Sequence, residues 1–110
     1  MAITSTQEYP NGVANIATGA YITTGTAAAF TITTGFVPRY VKVVNINASG
    51  LVQIEWFNGM DDAAGIKTAA NGTRSTLTTL GITPTDDGFT VGLDTDLNVT
   101  SEQLYWIAIG

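Results

Sequence analysis

The chain has no cysteine and no histidine. The first absence rules out disulfides, thiolate nucleophiles and zinc-thiolate sites together, and leaves the redox compartment unmarked. The second removes the commonest general base near neutral pH and the commonest transition-metal ligand. Charge is also scarce: 12% of the 110 residues are charged, against roughly 25% in an average soluble domain. Four basic residues face nine acidic ones, a formal net charge of -5, so nucleic acid phosphates and anionic membranes are unfavourable partners. No run approaches the ~18 apolar residues that span a bilayer, and no basic segment followed by an apolar one marks an export signal. The sequons at Asn47, Asn71 and Asn98 then read as the yield of a chain rich in asparagine and threonine.

What fills the chain is threonine, glycine and small or β-branched apolar residues. A surface of hydroxyls and methyls, poor in lysine and glutamate, loses little side-chain entropy when a neighbour covers it, which suits a protein that works in an assembly. A chain of this length holds one core and has no room for a second with its own cleft.

No window carries an i, i+3, i+4 apolar pattern, so the expected class is all-β. Residues 1–19 are polar and mixed, with a turn signal at Pro10-Asn11-Gly12, and read as an extended N-terminal arm ordered on assembly; residues 20–110 form the domain. Strands are expected over residues 21–24 and 27–34, split by Gly25. A hairpin follows, with strands at 41–46 and 51–57 joined by Asn-Ala-Ser-Gly. In its return strand Val52, Ile54 and Trp56 share one face and Gln53 and Glu55 the other, which puts Trp56 in the core. Residues 58–74 read as a long small-residue connection, 73–79 as a threonine-rich strand, 81–88 as a turn region and 89–91 as a short strand. The last strand, 103–109, is apolar on both faces: Leu104, Trp106 and Ala108 on one, Tyr105, Ile107 and Ile109 on the other. Such a strand is either central between two layers or an edge capped by a partner. About seven short antiparallel strands point to a compact β-sandwich or jelly-roll-like domain.

Acidic pairs are the one candidate constellation for chemistry: Asp61-Asp62, Asp86-Asp87, and Asp94-x-Asp96-x-Asn98. The last imitates the opening of a calcium loop, but the sixth position is Val99 where glycine is needed and the twelfth is Tyr105 where glutamate is needed. Asp94, Asp96 and a further loop could still hold a cation; otherwise these aspartates are turn formers. Nucleophilic catalysis would have to use Lys42, Lys67 or a carboxylate as base, and Glu8, Glu55 and Glu102 show no spacing for a glycosidase pair. No catalytic, cofactor-binding or metal-binding residue is expected, and no cofactor. A carbohydrate-binding module is the rival, with Trp56, Tyr105 and Trp106 as its stacking platform.

Over residues 35–110 the chain resembles small structural proteins of tailed bacteriophages, of the kind encoded near the head genes. The resemblance lies in Pro-x-x-Val-x-Val at 38–43, Glu-Trp-Phe-x-Gly-Met at 55–60, Gly-Ile-Thr at 81–83, Asp-Gly-Phe-Thr-Val-Gly at 87–92, Asp-Leu-Asn-Val at 96–99 and Tyr-Trp-Ile-Ala at 105–108. It implies a virion component made in the bacterial host cytoplasm, a head decoration or stabilisation protein on the capsid exterior. Its partners would be further copies of itself, as a trimer or other symmetric cluster, and the major capsid protein or another virion protein. A tail, collar or fibre-associated subunit is the alternative.

Overall fold

In the computed structural model, which describes residues 15–47 and 51–110, every regular element is a β-strand. These are β1 (Ile16–Ile22), β2 (Phe30–Thr33), β3 (Tyr40–Asn45), β4 (Val52–Phe57), β5 (Ala64–Thr68), β6 (Arg74–Pro84), β7 (Gly88–Val91) and β8 (Gln103–Ile109). All pairings are antiparallel, and the strands form one sheet in the order β1-β8-β3-β4-β5-β6-β7-β2. The chain is therefore all-β, with its strands in a single curled sheet.

The hairpin expected from period-two patterning is β3 and β4, in the register Val41↔Trp56, Val43↔Ile54 and Asn45↔Val52, with all six residues buried. Its turn falls on residues 48–50, outside those described. β8 lies between β1 and β3, one strand in from the edge of the sheet, so the doubly apolar last strand is not an edge, and among the described residues no second layer covers its outer face. Leu104 and Ala108 point inward and are buried, while Tyr105 points out and is 48% exposed. β1 begins at Ile16, so residues 16–19 of the segment read as an arm are strand, held against β8 from Ile16↔Ile109 to Gly19↔Trp106. Residues 1–14, with the Pro10-Asn11-Gly12 turn signal, lie outside those described.

Two elements depart from expectation. β5 forms inside the stretch read as a connection, because antiparallel ladders need backbone donors and acceptors and the small residues Ala64 and Gly65 supply them without an alternating apolar signal. β6 runs on through Gly81-Ile82-Thr83-Pro84, read from sequence as turn, because Ile82 is fully buried and carries the strand into the core. Among the described residues there are thus eight strands where about seven are expected.

β6 is also where the sheet turns its corner. Gly65 pairs with Leu77 and Ala64 with Ile82, so residues 78–81 bulge out of the β5 ladder, with Leu80 at φ 64°. Beyond the bulge β6 pairs with β7. The Gly81 N–H donates to the Ala63 carbonyl at 2.9 Å, and a Cβ on Gly81 would sit 2.1 Å from the Ala64 carbonyl oxygen, so this crossing needs glycine.

The fold-over brings distant strands into contact. Phe89 on β7 meets Trp106 on β8 edge to face, with centroids 5.5 Å apart, and Tyr21 on β1 stacks on Phe30 on β2 at 3.8 Å. The first and last strands of the sheet order thus approach through their aromatic rings. Between the folded halves lie Val41, Val43, Ile54, Trp56, Ile82 and Phe89, all 2% exposed or less, joined by Val91, Leu97, Leu104 and Ala108. Each large side chain among them contributes roughly 1.5–3 kcal/mol of transfer free energy.

Candidate functional site

Two regions are candidates, a polar cluster at one end of the sheet and the outer face of the strands around β8. The cluster gathers the Asp94-x-Asp96-x-Asn98 motif. Asp94 is buried, and its Oδ1 accepts hydrogen bonds from the backbone N–H groups of Asp96 and Leu97, both at 3.0 Å, as a turn-forming aspartate does. The Lys67 ammonium reaches it from β5 at 3.0 Å and Asp96 at 2.7 Å. Burial pulls the Lys67 ammonium down, but the hydrogen bonds to Asp96 and Asp94 outweigh it and hold its pKa above the ordinary lysine value. Asn98 turns away from this pair and is almost fully buried. Its Oδ1 accepts from the Thr23 hydroxyl at 3.0 Å, and its Nδ2 donates to the carbonyls of Ala28 (2.9 Å) and Gly92 (3.2 Å).

The motif's three polar side chains therefore diverge. Two face an ammonium and the third ties the β1–β2 connection to the segment after β7. The position a divalent cation would take beside Asp94 and Asp96 is held by Lys67 Nζ, and among the described residues no three His, Cys, Asp or Glu side chains group as metal ligands. Lys67, kept protonated by its two carboxylates, is unsuited to serve as a base.

Beside this pair Asn45, fully buried, donates to the Leu97 carbonyl at 2.9 Å and to Glu102 Oε1 at 2.8 Å, and its Oδ1 accepts from the Asn47 N–H at 2.8 Å. Asn47 Nδ2 donates to the other Glu102 oxygen. A depression of about 530 Å³ opens here, with Asn45, Asn47, Asn71, Asp96 and Glu102 in its walls. Both its carboxylates are already engaged, Glu102 by the two asparagines and Asp96 by Lys67.

The other acidic positions are turn positions. The Asp61 carbonyl accepts the Trp56 indole N–H at 3.2 Å, and the Asp87 carbonyl accepts the N–H groups of Thr34 and Gly35 at 2.8 and 2.9 Å. Glu55 lies on the outer face of β4 and accepts the Tyr40 hydroxyl at 2.7 Å, well separated in role from Glu102; Glu8 lies outside the described residues. Desolvation, then the hydrogen bond and the charge of Glu55, push the Tyr40 phenol up to about 12. The three aromatics of the sugar-platform reading do not share a surface. Trp56 is 2% exposed, Trp106 faces inward against Phe89 and Gly19, and Tyr105 alone points outward.

The outer face shows its apolar character in the sequence pattern only on its last strand, at Tyr105, Ile107 and Ile109. Direct cross-strand partners point to one side of an antiparallel sheet, so register assembles the rows. One runs Ile16–Ile109–Tyr40–Phe57 across β1, β8, β3 and β4. The next runs Thr18–Ile107–Lys42–Glu55–Ile66–Thr76 across six strands, and a third begins Ala20–Tyr105–Val44–Gln53. Ile16 is 62% exposed, Phe57 45% and Ile22 49%. A sheet face this apolar, with Lys42 and Glu55 as its central charges, is unusual on a side turned to water. No known family model matches the chain, and no curated protein or solved structure is significantly similar to it.

Proposed function

We propose that this chain is a non-catalytic, cofactor-free building block of a bacteriophage virion, a capsid decoration or stabilisation protein on the outer head lattice. The observation that carries the reading is the apolar face over β1, β8, β3 and β4, which no other described residues cover, on a protein with only 12% charged residues. An apolar sheet face of this extent is stabilised when other protein covers it. The virion assignment rests on the resemblance over residues 35–110; the face supplies a physical reason for such a chain to work in association. Repeated by lattice symmetry, many modest contacts add up through multivalency, and no subunit needs a deep pocket. The sugar-binding reading is weaker, since its platform would require Trp56 and Trp106 at the surface.

Particles of the parent phage test this directly. A reconstruction should show the subunit as ordered density at symmetry-related positions on the head, and heads without it should open at lower temperature. Failure of the purified chain to bind heads, or density confined to the tail, overturns the decoration role.

A further inference from the structure

One row of the outer sheet face has an internal symmetry that points to its occupant, a symmetry that the adjoining row Ala20–Tyr105–Val44–Gln53–Thr68–Arg74 does not share. Its middle row reads Thr18, Ile107, Lys42, then Glu55, Ile66, Thr76, taken strand by strand from β1 to β6. About a line running along the strands between β3 and β4, the row is a palindrome in chemistry: threonine matches threonine, isoleucine matches isoleucine, and lysine matches glutamate. We propose that this face binds a second copy of the chain, packed face to face about a two-fold axis along that line.

The axis sets each Lys42 over the partner's Glu55, each Ile107 over the partner's Ile66, and each Thr18 over the partner's Thr76. Isologous contact demands this self-complementarity, and a heterologous partner would have no reason to reproduce it. In the row beside it the same axis sets Tyr40 over the partner's Phe57, an aromatic pair next to the central charges.

Charge favours the same occupant. Two copies of a chain of net charge -5 repel, and they meet at least electrostatic penalty on a face whose central charges cancel within each copy. The aspartate pairs 61–62 and 86–87 lie instead in the connections after β4 and β6. Area is adequate too. Six strands at ~4.8 Å spacing and about six residues at ~3.3 Å give roughly 500 Å² in projection before side-chain relief is counted, on the scale of the roughly 800 Å² per partner in a standard interface. Aligned packing of two sheets about 10 Å apart accommodates side chains of this size without a cavity.

The pairing rests on the reading that this chain works in assemblies, but does not require a capsid. It is tested by light scattering coupled to size exclusion on the full chain, with circular dichroism and melting to establish that each variant folds. Wild type should run at twice its 11.5 kDa mass at ~100 µM and dissociate on dilution. K42E places four acids at the axis of its own dimer and E55K four bases; each alone should weaken dimerisation at least 10-fold. An equimolar mixture of the two should recover a heterodimer, because each acid then faces a base. Ile107→Glu, in the same row, should give a monomer that no charge variant rescues. A wild type that stays monomeric at all concentrations, or K42E and E55K that self-associate as wild type does, overturns the proposal. Monomers that still decorate heads would leave the virion assignment standing without this interface; dimers that ignore heads would do the reverse.

Discussion

Replacing Lys67 by methionine keeps the side chain out to its ε atom and strips Asp94 of its ammonium. In the native state the two groups are 3.0 Å apart, with the Lys67 side chain 13% exposed and that of Asp94 8% exposed. At an effective dielectric of about 20, a contact of 3.0 Å is a gross attraction of about 5.5 kcal/mol. Two effects reduce it. Removing the ammonium relieves its own desolvation, and Asp94 keeps the Asp96 and Leu97 amide donors. A net loss of about 2 kcal/mol remains, in the range for a hydrogen bond to a buried charge. For a domain of this size that is a fall in Tm of about 9 °C. Asp96 is 60% exposed, so Asp96→Asn should change stability by less than about 0.5 kcal/mol. Thermal and urea unfolding of wild type, Lys67→Met, Asp94→Asn and the double variant give the coupling between the two groups. The double variant should be less damaged than the sum of the singles. The sign with pH follows from the raised lysine: the pair's contribution is complete below the unfolded lysine pKa and fades as pH rises above it, so the Lys67→Met deficit should shrink above about pH 10.4. Strict additivity, or a Lys67→Met Tm within about 2 °C of wild type, would refute the view that this ammonium holds the turn at 94–98.

Trp56→Ala should cost about 3–5 kcal/mol, because the ring is 2% exposed in the core, whereas Tyr105→Ala should leave the monomer's stability within about 1 kcal/mol; a glycan array with Tyr105→Ala tests what remains of the sugar reading. Tyr40, raised to about 12, holds its proton more tightly folded than unfolded, so its contribution is complete below pH 10 and lost as pH rises toward 12. Allowing for solvent screening at the sheet surface, the loss is about 1 kcal/mol, and it should vanish in Tyr40→Phe; ultraviolet titration of the phenolate alongside unfolding checks both. Gly88→Ala should destabilise by about 3 kcal/mol or more, since its Cβ would lie 1.9 Å from the Ile32 carbonyl oxygen where β2 meets β7; a variant melting like wild type would show that this crossing can relax.

The β3–β4 hairpin and the placing of Trp56 were legible because they are local: a period of two, a short turn and a bulky indole on the apolar side. The double apolarity of β8 was legible for the same reason, but neither expected explanation holds whole: strand order makes β8 interior to the sheet, and its outer face is open among the described residues. β5 was missed because Ala64-Gly65-Ile66-Lys67-Thr68 offers too little alternation, and β6 was cut short because Gly81 and Pro84 resemble turn residues. The Asp94-x-Asp96-x-Asn98 motif was visible, but its meaning was not, since the ammonium that answers it comes from Lys67, on another strand.

Composition and periodicity by themselves determined that this chain is all-β, that its chemistry must do without histidine and cysteine, and which side of each clear strand is apolar. Those properties depend on neighbours in the chain. Tertiary structure alone decided that the final strand is interior to the sheet, that the sheet folds at the β6 bulge, that Lys67 meets Asp94, and that Thr18, Ile107, Lys42, Glu55, Ile66 and Thr76 fall in one row. Each of these depends on register between strands far apart in the chain, and register is fixed by which apolar faces can be buried together.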